Sequence, residues 1–232
     1  MSEKSWIEIT NDDGKVFSGY LSLSHSGKGP GLVLVQEIWG VNEHIRALAD
    51  MYALAGFTVL APDVFWRNGP RTDLMYGESD TKTAREKMSA LDNAQAARDV
   101  AQAAEFLRQR SDTGGKVAIL GFCLGGQLAY RAAPIAKADA LVAFYGGGID
   151  KHLDVANYVT MPALFHFAED DAHIPATSVD AIRQAVAANP RARVQTYAAV
   201  GHGFCCWGRP MYDQRNAAIA HGRTLDFLGS HL

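Results

Sequence analysis

Hydrophobic and polar positions follow two rhythms along this chain. Near the start, Trp6–Thr10 and Val16–Ser24 alternate with a period of two, and Asp13-Gly14 lies between them. That pattern predicts an antiparallel hairpin closed by a tight turn. Beyond it come short runs that are apolar almost throughout: Gly31–Val35, Phe57–Ala61, Val117–Gly121, Ala140–Tyr145 and Ala163–Phe167. The less apolar Val194–Ala199 follows them. Such runs suit strands buried on both faces, as in a parallel sheet sandwiched by helices.

The intervening stretches change to helical spacing. Glu43–Ala55 sets Ile45, Leu48, Ala49, Tyr52 and Ala53 three and four residues apart and stops at Gly56, a good helix-ending residue. Asp92–Arg110, Leu124–Ala133, Pro175–Ala188 and Met211–Leu228 read the same way. Strands alternating with helices predict an α/β fold: a mostly parallel central sheet, helices on both faces, right-handed crossovers, and the hairpin added at one edge. The longest break, Pro62–Lys82, is rich in Gly, Pro, Asp and Arg and reads as a lid or insertion over a pocket. There is no internal repeat, and 232 residues suit one domain spanning 1–232.

Charge and composition narrow the function classes. Lys and Arg total 22 against 25 Asp and Glu, a formal charge of −3, so no basic excess points to a nucleic-acid partner. No apolar run approaches the roughly 18–20 residues of a membrane span, and the opening residues show no apolar secretory core. The expectation is a soluble, cytoplasmic protein with no membrane partner. Three cysteines cannot all pair internally, so at least one thiol is free.

One of them occupies a position of chemical interest. Gly121-Phe122-Cys123-Leu124-Gly125-Gly126 joins a strand to a helix, which is the G-x-S-x-G nucleophile turn with Cys in the nucleophile's place. The turn is sharp, so the glycines on either side avoid crowding neighbouring backbone. The helix start supplies free N–H groups and a positive dipole end, both suited to a thiolate and a developing oxyanion. The plain alternative is a small buried cysteine beside a turn. A thiol nucleophile needs a base and an orienting acid. The loop after Ala163–Ala168 carries Asp170, Asp171 and His173, and the next strand leads to Gly201-His202-Gly203-Phe204. His202 is the better base candidate, because His173 sits beside the acid just before a helix start. The chemistry leaves Asp170 and Asp171 both open. Glu37, at the end of Gly31–Val35, stands where open α/β sheets bind ligands.

Together these residues resemble the dienelactone hydrolase (carboxymethylenebutenolidase) family of the α/β-hydrolase fold, over nearly the whole chain. The resemblance rests on Gln36-Glu37-Ile38-Trp39-Gly40, Ala61-Pro62-Asp63, the Cys123 turn, Phe144-Tyr145-Gly146, Asp171 with Pro175, Gly201-His202-Gly203-Phe204, and Arg223-Thr224-Leu225-Asp226-Phe227-Leu228. It implies a Cys123–His202–Asp171 triad, Asp171 being favoured by its spacing to Pro175. It also implies that Glu37 contacts the resting thiol and helps form the thiolate, that the Leu124 and Ile38 N–H groups form the oxyanion hole, and that Tyr145 lines the pocket. Trp39 and Phe204, with Trp66 and Trp207, are further aromatic candidates for it. Family members that open dienelactone grip its carboxylate with arginines. Here Cys206 stands near one such position, leaving Arg209 as a substitute and Arg85 as the candidate for the other; Gly203 stands where some members carry Ser.

The resemblance implies an enzyme hydrolysing a small-molecule ester or lactone through a thioester, without cofactor or metal, as a monomer. A thiol esterase of the same family with another substrate is a close alternative. A non-catalytic binding module and a metal or redox role for Cys205-Cys206 with His202 rank lower, since no triad residue is missing and the H-x2-C-C spacing lacks a second ligand pair.

Overall fold

The computed structural model describes residues 4–232; Met1–Glu3, part of the opening segment read for a secretory core, lie outside the described residues. Eight strands form one sheet: β1 (Lys4–Thr10), β2 (Val16–Ser22), β3 (Gly31–Val35), β4 (Thr58–Pro62), β5 (Val117–Phe122), β6 (Ala140–Phe144), β7 (Ala163–Ala168) and β8 (Ala192–Tyr197). Their order is β1-β2-β4-β3-β5-β6-β7-β8. β1 and β2 pair antiparallel, β2 joins β4 antiparallel, and all pairs from β4 to β8 are parallel. Every residue of β3 to β7 is buried, as their unbroken apolar character predicts, while β8 at the edge is mixed.

The described residues form six α-helices: α1 (Glu43–Leu54), α2 (Glu78–Ser89), α3 (Asn93–Arg108), α4 (Leu124–Ile135), α5 (Ala176–Ala185) and α6 (Gln214–His231). Caps set several starts. Asn42 accepts from the Ile45 N–H, Asp92 from Ala94 and Gln95, and Asp213 from Asn216. The Asp213 cap moves the last helix three residues past the expected Met211 start. β8 likewise begins two residues before the expected Val194. The larger departure is α2, which turns the end of the Pro62–Lys82 break and the residues after it into a helix. Only Ala84 of α2 is buried, so it has almost no apolar stripe to reveal it.

The two faces are distinguished by alternate strand residues. Gly121 faces α4, where a Cβ would run into the Gly125 carbonyl. Phe122, Phe144 and His166 are in register on β5, β6 and β7, stack at 4.5 and 4.3 Å, and face α1 and α6. Those two helices meet through a 3.0 Å Tyr52–His221 hydrogen bond. β3 has β4 on one side and β5 on the other, so the chain reverses its direction of travel across the sheet there. The crevice beyond the carboxyl ends of β3 and β5 is where such sheets bind ligands. Among the described residues no helix is long and apolar enough to cross a membrane.

Candidate active site

The carboxyl ends of β3, β5, β6, β7 and β8 carry Glu37, Cys123, Tyr145, Asp171 and His202, each within a few residues of its strand. Cys123 links β5 to α4 with φ 54° and ψ −117°, a conformation costly for a residue with a Cβ. Its N–H is held by the Phe144 carbonyl at 2.9 Å. The glycines do what the motif demands. A Cβ on Gly121 would overlap the Gly125 carbonyl, and one on Gly125 would overlap the Val35 and Gln36 carbonyls. The nucleophile turn is thus wedged against the end of β3.

Cys123, His202 and Asp171 come together as a continuous relay. Cys123 Sγ lies 3.0 Å from His202 Nε2, and His202 Nδ1 lies 2.8 Å from Asp171 Oδ2. The other Asp171 oxygen accepts the N–H groups of His173 at 2.8 Å and Ile174 at 3.2 Å. Of the two neighbours, Asp171 is buried against His202, whereas Asp170 is exposed. Burial raises the Asp171 carboxyl, but the bonds from His202, His173 and Ile174 outweigh it and hold it below its ordinary range. Burial disfavours a charged His202, yet the adjoining Cys123 sulfur and the Asp171 carboxylate push it up to about 10. His173 is exposed and sets its ring edge-on to His202 at 5.1 Å; it makes no bond to the thiol.

Leu124 begins α4, so its N–H has no intrahelical acceptor. Neither it nor the Ile38 N–H donates to a backbone carbonyl among the described residues. Tyr145, buried with φ 37°, sets its ring against His202 at 5.1 Å and Phe204 at 5.7 Å. Its hydroxyl, held protonated by burial, has no hydrogen-bond partner among the described residues.

Glu37 is buried and both of its carboxylate oxygens lack hydrogen-bond partners among the described residues. Its neighbour is Arg209, whose Nη1 lies 3.6 Å from Oε1. Burial raises the Glu37 carboxyl, and the charges of Arg209 and His202 pull it back. Arg209 also lies over the Trp39 ring at 4.8 Å. The loop after His202 explains its arrival. Cys206 N–H bonds to the Gly203 carbonyl at 2.9 Å, and Arg209 N–H to the Cys206 carbonyl at 3.1 Å. Two successive turns bring Arg209 back onto Gly203, where φ is 85° and a Cβ would collide with the guanidinium. A side chain at position 203 and the guanidinium compete for one space.

Other expected residues separate. Arg85 is exposed on α2 and has no contact with the triad residues in the described structure. Trp66 stacks on Phe17 at 5.9 Å and donates to Asp99 at 3.0 Å, so it is a packing residue away from the relay. Trp39 is buried and donates to Thr81 Oγ1 at 3.3 Å, and Trp207 sets its ring on His44 at 4.1 Å. The 62–82 segment walls the Gln36–Asn42 turn: Gly40 bridges to Asp73, and Asn42 Nδ2 donates to the Leu74 carbonyl and the Tyr76 hydroxyl, each at 3.1 Å.

Sequence reasoning missed His44. It is buried near the start of α1, neither ring nitrogen has a hydrogen-bond partner among the described residues, and burial holds the ring neutral, at about 3. One donor atom each from Glu37, His44 and Cys206 lie within 4.8 Å of one another. The only signal in the chain was a polar first helical turn following the Glu37 strand end.

Comparison with known proteins shows what the chain is similar to. The model of the dienelactone hydrolase family matches residues 17–232. A carboxymethylenebutenolidase of Pseudomonas putida is 33% identical over 223 residues, covering 96% of this chain and 94% of its own. Carboxymethylenebutenolidase 1 of Cupriavidus pinatubonensis is 31% identical over 226 residues, covering 96% and 95%. A solved structure from Klebsiella pneumoniae, described as a candidate dienelactone hydrolase, superposes with a TM-score of 0.84 at 27% identity, covering 99% of each chain. The dienelactone hydrolase of Anabaena variabilis, at 17% identity and a TM-score of 0.72 over 100% and 99%, shares the fold.

Proposed function

Since the chain belongs to the dienelactone hydrolase family, a family of ester and lactone hydrolases, we propose that it opens a small-molecule ester or lactone through a thioester on Cys123. The Cys123–His202–Asp171 relay, closed at 3.0 and 2.8 Å beyond the ends of β5, β8 and β7, is the observation that carries this reading.

The thiolate attacks the carbonyl carbon, and the carbonyl electrons move to oxygen. The Leu124 and Ile38 N–H groups face that oxyanion; one such donor is typically worth about 3 kcal/mol of transition-state stabilisation. Collapse breaks the carbon–oxygen ester bond, and His202 Nε2 hands its proton to the departing oxygen. His202 then takes a proton from water, whose oxygen attacks the thioester; the carbon–sulfur bond breaks, releasing the acid and returning the Cys123 thiolate beside the imidazolium. Asp171 keeps the Nδ1 proton in place throughout. In a lactone the departing oxygen stays tethered, so both functions end in one product. Arg209, buried beside Glu37 and Trp39, is the cation available to a substrate carboxylate. Carboxymethylenebutenolidase activity is the specific form of this reading.

Hydrolysis of cis-dienelactone, followed by loss of ultraviolet absorbance beside p-nitrophenyl acetate, tests it with wild type and Cys123→Ala. Expected is Cys123-dependent turnover of both, the variant losing at least about 10⁴-fold. Turnover of the acetate alone keeps the thiol mechanism and assigns another ester. Full activity in Cys123→Ala on either substrate removes the nucleophile assignment.

A further inference from the structure

Beside the relay lies a second set of groups that the proposed hydrolysis does not fully use. Glu37, His44 and Cys206 are all buried, and one donor atom from each lies within 4.8 Å of the other two. Burial normally forces a polar atom to find a partner. Here both His44 nitrogens lack a hydrogen-bond partner among the described residues, and so do both Glu37 oxygens, one of which has only the Arg209 ion pair at 3.6 Å. His166 is the internal contrast. Equally buried, it uses Nδ1 toward the Tyr197 hydroxyl at 2.8 Å and Nε2 toward Thr224 Oγ1 at 3.0 Å. The chain can satisfy a buried imidazole and has left this one available.

We propose that Glu37, His44 and Cys206 form a binding site for a soft divalent cation of the Zn²⁺ or Cd²⁺ type. A neutral imidazole, a carboxylate and a thiolate are the donors such ions prefer. Tetrahedral zinc bonds of about 2.0–2.3 Å would space these donors at about 3.3–3.6 Å, so closing the site takes about an ångström of side-chain rotation. Binding forms a metal–Sγ bond at Cys206 as its S–H bond breaks and the proton goes to solvent. The two ligand anions balance the ion's charge, and Glu37 can keep one oxygen toward Arg209 while giving the other to the metal. The fourth position suits water. Trp207, half exposed, covers the His44 ring on one side.

Metal binding stands apart from the proposed hydrolysis. A consequence that rests on that reading is inhibition, because an occupied site withdraws Glu37 from the substrate pocket.

Cd²⁺ and Co²⁺ titrations of the full chain carrying Cys123→Ser decide the matter, since that variant removes thiol binding at the nucleophile. Expected are one equivalent of metal bound, a thiolate-to-metal charge-transfer band and a tetrahedral cobalt spectrum. Adding Cys206→Ser should abolish the band, and adding His44→Gln should weaken binding at least about 100-fold. Should either double variant fold poorly, the cobalt spectrum of Cys123→Ser alone still reports a thiolate ligand. No stoichiometric binding by Cys123→Ser overturns the proposal, and so does a charge-transfer band that survives Cys206→Ser. Because the readout is metal binding, a failure of the hydrolase assignment leaves it untouched.

Discussion

On the His202 side of the site the buried polar groups answer one another. Asp171 uses one oxygen for His202 and the other for two backbone N–H groups, and His202 is held between carboxylate and sulfur. On the Glu37 side, the carboxylate and the His44 ring are equally removed from water and make no hydrogen bonds among the described residues. A satisfied buried network has one arrangement and keeps it, which suits proton transfer at fixed distances. Unsatisfied buried donors and acceptors carry a desolvation cost that an arriving ligand can relieve. One strand-end crevice thus holds both a fully bonded relay and buried polar groups without hydrogen bonds, the first suited to the proposed reaction and the second to the proposed ligand.

The most forceful way to break this comparison is to spoil the satisfied side. Asp171→Asn keeps the shape but lets the imidazole choose the wrong tautomer, and kcat on p-nitrophenyl acetate should fall about 10³–10⁴-fold. A loss under tenfold would mean that the relay is not the engine. The next effect reads all the buried histidines at once. Burial sets His44 at about 3 and His221 at about 4, and holds His166 well below its ordinary value. Each folded value lies below the unfolded one near 6.5, so each contribution is full above pH 6.5 and is lost as pH falls. The slope is about 1.4 kcal/mol per pH unit per histidine, or about 4 kcal/mol for the three by pH 5.5. His202 runs the other way: its folded value of about 10 makes its contribution full below pH 6.5 and lost as pH rises toward 10. Denaturant melts across pH should therefore peak near pH 7, and a curve flat from pH 7 to 5 would contradict the neutral buried rings.

Smaller changes sharpen the receptive side. Arg209→Ala removes the cation beside Glu37. We expect kcat/KM to fall roughly 10–100-fold for esters carrying a carboxylate, as for a lost charge-assisted hydrogen bond, and little for neutral esters. Equal losses for both would show Arg209 acting on Glu37 rather than on substrate. Gly203→Ser adds a Cβ where φ is 85° and the guanidinium already sits. It should cost about 1–2 kcal/mol of stability in urea and loosen the Arg209 contact.

Much of this was legible in the chain. Nearly uniform apolar runs marked β3 to β7 because strands buried on both faces carry few polar residues, and His166 on β7 is tolerated through its two hydrogen bonds. The paired glycines around Cys123 marked the turn because backbone carbonyls crowd it from two sides. The polar helix α2 was not legible, since a helix burying only Ala84 leaves no periodic trace. The choice of Asp171 over Asp170 depended on which carboxylate faces inward, a property of one loop's path. Arg209 reached the site through two consecutive turns, so its offset from His202 differs from that of an extended loop. His44 stayed hidden because a histidine in a first helical turn looks like any exposed one until its missing partners are seen in three dimensions.

The contact of Gly125 with the Val35 and Gln36 carbonyls has a further consequence. It keys the start of α4 to the end of β3 by main chain alone, so the Leu124 and Ile38 N–H groups proposed to hold the oxyanion are spaced by no side chain. Residues of the surrounding wall can then be exchanged while those donors keep their spacing. For anyone redirecting this scaffold to new esters, Tyr76, Phe204, Trp207 and Arg209 are the adjustable parts and Gly121 and Gly125 the chassis.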